Sequence, residues 1–227
     1  ELEQTQKELK SFGIEAEVVP FPPRKWYDVS PLPEKKSIAV YLPQNNEAFY
    51  FRDMFLGSGT QKGLVDLMPD VTFNVFGNPL ETPPKKAKNY KIWGYTDGVG
   101  ELIKETRAII RIVPHDGLPI SVAEWIGAGR NALTTVEMPF ADRFDMIAFS
   151  KRADGQKIEN MMNHIKKMIY DVLKKPLNEE GAKHYRKWLD PEVYRAKIAS
   201  VTGYDEKRYW EKRAESWNEQ AQVDIVK

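Results

Sequence analysis

Asp116 and Glu124, two carboxylates with seven residues between them, are the side chains whose types and spacing best fit binding chemistry. Asp116 follows a short apolar run, and Glu124 falls inside a segment with helical features. Ligands of open α/β sheets bind where strands end and helices begin, and helix N-termini offer N–H groups to phosphate. A carboxylate further along that helix could accept hydrogen bonds from a pair of sugar hydroxyls. Gly117 would let the backbone approach a diphosphate closely.

The elements that must position these acids form one strand–helix–strand unit. The apolar, β-branched run 108–113 predicts a buried strand of a parallel sheet, interrupted only by Arg111, which needs a partner if it is buried. Pro119 occupies the first helical position, and the glycines at 127 and 129 end the helix. A further strand is expected from Asn131.

This unit resembles the donor site of retaining glycosyltransferases of the GT-B fold (GT4-like). Their motif is an acidic residue, seven residues and a glutamate, within a segment of the form E-G-F-G-L-P-x-x-E-A-x-x-x-G. The matching residues here are Asp116, Gly117, Leu118, Pro119, Glu124 and Gly129. When the two segments are aligned on the seven-residue spacing, both acids match, although the first is Asp instead of Glu. This alignment displaces the Gly-Leu-Pro triplet. The resemblance covers roughly residues 38–150; the alternative is a plain βαβ unit with an incidental acid pair.

The resemblance implies a Rossmann-like parallel sheet with helices on both faces, the second domain of a two-domain enzyme, followed by C-terminal helices. The expected division is a tail of a preceding domain and a linker (1–33), a nucleotide-sugar-binding domain (34–175) and a C-terminal helical extension (176–227). The alternative for the first segment is an ordered arm packed on its own domain.

The implied reaction transfers a sugar from a nucleoside-diphosphate sugar, of UDP or GDP type, to an unknown acceptor with retention. Asp116 would be the catalytic-site acid that binds sugar hydroxyls, and Glu124 would bind the ribose. No cofactor or metal is expected, and the fragment would be inactive without a missing N-terminal acceptor domain. The remaining donor-binding candidates are Gly117, Leu118, Pro119, Gln44, Asn45, Trp93, Gly94, Tyr95 and Arg111.

One departure from the family concerns the cations that offset the diphosphate charge. Relatives carry an Arg and a Lys after the first strand of this domain, whereas residues 43–48 here contain no cation. The substitutes are Arg52, Lys62, Arg111 and Arg130. This departure favours an alternative, a catalytically inactive Rossmann-like domain that serves as a protein-interaction module. A sugar-nucleotide epimerase ranks lower, because the catalytic acids and histidines it needs are not evident.

Bulk composition excludes several classes of function. The 227 residues include no cysteine, which removes disulfides and thiol catalysis, and three scattered histidines argue against a histidine-built metal site. A net charge of +1 gives no indication of nucleic-acid binding. No apolar run is long enough to span a membrane, so we expect a cytoplasmic protein. Peripheral membrane association is an expectation for the full-length protein only. Abundant Lys, Arg and Glu with fifteen prolines suit a thermophile.

Periodicity predicts the remaining elements. Strands are expected at residues 16–19, 37–41, 71–76, 90–95 and 147–150, and helices at 1–14, 47–55, 60–68, 99–106, 158–173, 182–189, 191–200 and 204–220.

Overall fold

The computed structural model describes residues 2–17, 19–42, 54–57, 62–77, 88–94, 96–113, 117–144 and 155–202. The strands are β1 (Ser37–Tyr41), β2 (Thr72–Phe76), β3 (Tyr90–Gly94), β4 (Ala108–Arg111), β5 (Asn131–Thr134) and β6 (Asp142–Arg143). The helices within these ranges include α1 (Leu2–Ser11), α2 (Leu64–Leu67), α3 (Val99–Glu105), α4 (Ile120–Gly127), α5 (Gly155–Lys174), α6 (Glu179–Trp188) and α7 (Pro191–Thr202).

The six strands form one parallel sheet in the order β3-β2-β1-β4-β5-β6. Strand order reverses between β1 and β4, which pair from Ile38 opposite Ala108 to Tyr41 opposite Arg111. The prediction of a Rossmann-like parallel sheet is confirmed. In such sheets the reversal point opens a crevice at the carboxyl ends of the strands, and ligands bind there.

Alternate residues of the central strands β1 and β4 contribute to two separate cores. Ile38 and Val40 point into a core shared with α2 and α5, whereas Ala39 and Ile109 point into a second core shared with α3, α4 and α6. Side chains alternate across a strand, so a sheet covered on both faces must be apolar at nearly every position. This explains why the central strands β1 and β4 lack the apolar–polar alternation of half-exposed strands.

Element boundaries differ from expectation in three places. Residues 16 and 17, predicted as strand, lie outside any strand, and the Ala16 carbonyl accepts a hydrogen bond from the Gln6 side chain at 2.6 Å. The edge strand after β5 comes at Asp142–Arg143, earlier than expected, and residues 147–150 lie outside the described part. The helix expected at 60–68 is shorter. Of the helix predicted at 47–55, residues 47–53 lie outside the described residues and residues 54 and 55 are helical; the helix predicted at 204–220 also lies outside them.

The segment from residue 26 to residue 33, hereafter the strap, packs across the amino edge of the sheet. Arg107 donates to the Leu173 carbonyl in the last turn of α5 (2.9 Å) and to the Pro33 carbonyl of the strap (2.7 Å). Arg186 donates to the Gly127 carbonyl that ends α4 (2.8 Å) and to the Tyr27 carbonyl. Each arginine therefore joins a helix C-terminus, where carbonyls lack partners, to the strap.

Arg130 makes the third such connection and is fully buried. Its Nε donates to the Ile103 carbonyl in the last turn of α3 (2.9 Å), and its terminal nitrogens donate to the Ser30 carbonyl (2.6 Å), the Ser30 hydroxyl (2.8 Å) and the Pro31 carbonyl (3.3 Å). Burial, followed by the nearby charge of Arg107, lowers the pKa of Arg130. Its planar fork of donors satisfies several carbonyls together, which a lysine could not do.

Helix α6 contributes directly to the second core. It packs against α4, and Tyr185 is fully buried with its hydroxyl donating to the Pro139 carbonyl at 3.1 Å. The domain limits expected at residues 33 and 175 stay a prediction. Among the helices that the structure describes, none is long and apolar enough to cross a bilayer.

We expect Arg130→Met to lower the free energy of unfolding by about 3 kcal/mol, because it leaves several buried carbonyls without a donor. Urea denaturation measures the change. The matched control is Arg195→Met, since Arg195 is exposed and pairs with Glu192 on α7; it should change stability by less than about 1 kcal/mol. Equal losses in the two variants would contradict a structural role for Arg130.

Candidate functional site

Among the described residues, Arg111 is the arginine at the crevice of the strand reversal. Arg111 ends β4 and is half-buried, with Nη1 donating to the Ser121 hydroxyl at 2.9 Å. Its guanidinium carbon lies 4.1 Å from the centre of the Tyr41 ring, at the end of β1. The aromatic face and the hydroxyl orient a cation at the carboxyl edge of the sheet. The partner that Arg111 was expected to need is therefore found on the next helix.

The start of α4 lies at the same edge. Pro119 precedes the first helical residue, Ile120, and its carbonyl accepts from the N–H groups of Val122 (2.9 Å) and Ala123 (3.1 Å). Pro119, the N-cap residue, makes no side-chain hydrogen bond to the first turn. Leu118 packs against the second core, whereas a Cβ on Gly117 would meet nothing within 4 Å. Among the described residues, therefore, none lies close enough to Gly117 to block a side chain there.

Glu124 lies on the face of α4 that continues from Ser121 to Gly127, since helix residues three apart are neighbours. It is half-buried between residues that are fully buried on either side of it in the helix. Burial raises the pKa of the Glu124 carboxyl to about 7. A carboxyl held in partly apolar surroundings is a strong acceptor once ionised, and it titrates near neutral pH.

Two sets of contacts hold α4 in place. At its end, the Gly129 N–H donates to the Ile126 carbonyl (2.8 Å) and the Arg130 N–H to the Trp125 carbonyl (2.9 Å). Gly129 has φ +79°, so this is a Schellman ending that requires glycine, as the sequence predicted for this end of the helix. Within the helix, the fully buried Trp125 stacks on Phe76 at the end of β2, with ring centroids 5.2 Å apart.

The end of β3 holds the candidate base contacts Trp93 and Gly94. The Trp93 N–H donates to the Asn74 side chain (3.0 Å), and Lys91 Nζ lies 3.8 Å from the centre of its ring. Gly94 has φ +60°, and its carbonyl accepts from the Gly77 N–H at 3.0 Å. Trp93 thus has its polar atom engaged within the sheet, and a base contact there would use backbone atoms or the rim of the ring.

The remaining candidates divide into two groups. Asp116, Gln44, Asn45, Tyr95 and Arg52 lie outside the described residues, so the pairing of Asp116 with Glu124 stays a prediction. Of the other substitute cations, Lys62 is exposed and Arg130 is buried under the strap at the opposite edge of the sheet. Among the described residues, Arg111 is therefore the best candidate for the role expected of an Arg and a Lys after the first strand, which is to offset the diphosphate charge.

Sequence reasoning missed Ser121 and Tyr41, which hold Arg111. Ser121 could have been found from its helical spacing of three residues from Glu124. Tyr41 carried no local signal, because it meets Arg111 only through the pairing of two strands that are distant in sequence. In the described part of the chain, no three His, Asp or Glu side chains come together in a way that could hold a metal ion.

Comparison with known proteins finds similarity in structure only. No protein-family model matches the chain, and no curated protein matches its sequence. Sucrose-phosphate synthase from Thermosynechococcus elongatus superposes with a TM-score of 0.61 at 10% identity, over 88% of this chain and 56% of that one. The apo form of the lipopolysaccharide outer core galactosyltransferase WaaB gives a TM-score of 0.58 at 14% identity, over 87% of this chain and 59% of that one.

A variant of S. aureus TarM, solved in complex with UDP, gives a TM-score of 0.56 at 12% identity, over 88% of this chain and 42% of that one. The chain therefore spans about half the length of these structures, from 42% to 59%. The neighbours are GT-B glycosyltransferases, and the single parallel sheet with its covering helices matches their Rossmann-like domains. At these identities the likeness concerns the fold.

The raised pKa of Glu124 predicts a pH-dependent stability. The folded protein binds a proton on Glu124 up to about pH 7, whereas the unfolded chain releases it near 4.5. The free energy of unfolding should therefore fall as pH rises between these values, by at most about 3 kcal/mol. Glu124→Gln should remove that part of the decline, measured by urea denaturation from pH 4 to 8. Glu180→Gln, at an exposed position, should leave the decline intact; identical profiles for all three proteins would contradict the assignment.

Proposed function

We propose that this chain is the nucleotide-sugar-binding domain of a retaining glycosyltransferase, using a donor of UDP or GDP type. The observation that carries the proposal is the row formed by Arg111, Ser121 and Glu124 at the point where the strand order reverses. It offers a cation at the end of β4 for a diphosphate and, on the adjoining helix α4, a half-buried carboxyl for sugar hydroxyls. The family resemblance of this segment and the GT-B fold of the structural neighbours support it.

In this proposal each group has a distinct task. The start of α4 and the Arg111 guanidinium receive the diphosphate, whose charge must be offset as the glycosidic bond breaks. Glu124 accepts hydrogen bonds from the ribose, and Asp116 binds hydroxyls of the transferred sugar. Backbone atoms near Gly94 and Tyr95 contact the base, while Gln44 and Asn45 contact phosphate oxygens. Turnover depends on an acceptor-binding domain that precedes the strap in a longer protein.

A thermal-shift panel with UDP, GDP and ADP tests the binding step. One nucleotide at about a hundred times its dissociation constant should stabilise the protein by about 2.7 kcal/mol, or roughly 5–10 °C in melting temperature. Glu124→Ala should abolish this shift, because the ribose loses its acceptor, whereas the exposed Glu180→Ala should retain it. No shift with any nucleotide would instead favour an inactive Rossmann-like domain that binds a protein partner.

Arg111→Met separates the diphosphate contact from the nucleoside contact. We expect it to weaken the binding of a nucleoside diphosphate about tenfold or more, the usual cost of losing a charged hydrogen bond. The binding of the matching nucleoside should not change. Isothermal titration with the pair of ligands measures both affinities. Arg143→Met, which removes an exposed arginine of β6, serves as the control. Equal weakening of nucleoside and nucleoside diphosphate would place Arg111 outside the phosphate site.

A further inference from the structure

Residues at the carboxyl ends of three neighbouring strands form a row on one face of the sheet. Phe76 of β2 lies directly opposite Tyr41 of β1, and Tyr41 lies directly opposite Arg111 of β4. Residues paired across parallel strands point to the same face of a sheet. Phe76 belongs to the second core and Tyr41 packs against it, so this is the face that α4 covers. Arg111 is thus the last member of a row whose other two members are aromatic.

The side chains of this row are in contact with one another. The rings of Tyr41 and Phe76 meet edge to face, with centroids 5.4 Å apart and an angle of 68° between their planes, which is a favourable arrangement for two aromatic rings. The guanidinium carbon of Arg111 lies 4.1 Å from the centre of the Tyr41 ring, a distance at which a cation is attracted to the face of a ring. Tyr41, on the middle strand, therefore joins the cation to the aromatic core.

Helix α4 contacts both ends of the row. The Ser121 hydroxyl accepts a hydrogen bond from Arg111 at 2.9 Å, and Trp125 stacks on Phe76 with 5.2 Å between ring centroids and 20° between ring planes. Ser121 and Trp125 are four residues apart, so they share one face of the helix. Trp125 is fully buried, and its N–H donates to the Thr106 hydroxyl at 3.0 Å. The aromatic end of the row is thus fixed in the core.

Gly77, which follows Phe76 along the chain, limits where the Tyr41 ring can lie. Its φ of +101° is in a region that side-chain-bearing residues rarely adopt. A Cβ at Gly77 would lie 2.7 Å from Cε2 of Tyr41 and 2.9 Å from the Leu42 carbonyl oxygen. The ring therefore lies directly against the backbone that leaves β2. Together, Phe76 and Gly77 make the Tyr41 ring a fixed surface for the guanidinium.

We propose that Tyr41 is a positioning residue for Arg111: its ring, held by Phe76 and Gly77, keeps the guanidinium at the carboxyl edge of the sheet in the orientation that receives a diphosphate. This inference rests on the proposed function for the identity of the ligand. An arginine side chain loses rotational freedom when it binds an anion, and a guanidinium already held on a ring has less freedom to lose. The ring attracts the positive charge without accepting the N–H groups that a diphosphate needs.

The first test follows the Nε–Hε signal of Arg111 by NMR in the nucleotide-free protein, with the signal assigned by its loss in Arg111→Met. The ring current of Tyr41 should shift this signal upfield from the position of an exposed arginine. Tyr41→Leu should abolish the shift, and Tyr41→Phe should retain it, because the phenyl ring remains. Tyr170→Leu is the matched control, since Tyr170 is half-buried against the first core, on the other face of the sheet; it should retain the shift. A signal at the exposed position in the unmodified protein would overturn the inference without any variant at Tyr41.

The second test measures the affinity for the nucleoside diphosphate identified by thermal shift, using isothermal titration. Tyr41→Leu should weaken binding about fivefold, the usual strength of a cation–π contact at a partly exposed site. Tyr41→Phe should restore the affinity, and the matching nucleoside should bind equally to all three proteins. In the Arg111→Met background, Tyr41→Leu should cause no further loss, because Tyr41 acts through the arginine. Losses that simply add in the double variant would overturn the inference.

Inorganic pyrophosphate separates this inference from the proposed function, because it carries the diphosphate without a nucleoside. Its binding is followed through the Arg111 signal in the unmodified protein and in Tyr41→Leu. If pyrophosphate binding weakens in Tyr41→Leu while no nucleotide binds, the positioning role is supported and the proposed function is overturned. If a nucleoside diphosphate binds the unmodified protein and Tyr41→Leu with the same affinity, the proposed function stands and the positioning role is overturned.

Discussion

Carbonyl groups at the ends of helices are the constraint on which this structure depends. In a parallel α/β fold the helices run opposite to the strands, so their C-termini collect at the amino edge of the sheet, each with carbonyls that lack an intrahelical donor. Arg107, Arg130 and Arg186 satisfy one such end each and extend to the strap with their remaining nitrogens. A single residue type thereby satisfies the helix ends and fastens a proline-containing segment that has no regular structure of its own.

The same arrangement places the candidate site on a rigid support. Helix α4 has a glycine ending with a positive φ, a tryptophan locked against the end of β2 and an arginine on its last carbonyl. Its first turn lies beside Arg111 at the carboxyl edge, and its middle carries Glu124. A site built on a helix held in this way keeps its groups in a fixed geometry, which a binding site for a charged, flexible ligand requires.

The position of Arg111 bears on the absence of the family's cations after β1. A guanidinium on β4 lies beside the end of β1 because the two strands are paired, with Tyr41 directly opposite Arg111. The sheet can therefore bring a cation to the same edge from a neighbouring strand. Whether the chain transfers a sugar or only binds a partner depends on what occupies that edge, and the fold it shares with GT-B enzymes is compatible with either use.

The sequence by itself determined the central strands and the order of the elements that cover them. The β-branched run before Asp116, the spacing of Glu124 and the glycine at 129 each act through neighbours a few residues away, so local patterns were sufficient to predict them. The strand expected at residues 16–19 is not formed at the described positions 16, 17 and 19, and the Ala16 carbonyl accepts a hydrogen bond from the Gln6 side chain instead of from a neighbouring strand. Only the tertiary structure decided that Ser121 and Tyr41 hold Arg111 and that Arg130 binds the carbonyls of the strap and not a ligand. Each of these contacts joins segments distant in sequence, and the physical reason is the same throughout: burial and hydrogen-bond partners depend on which surfaces meet, which no local pattern of residues records.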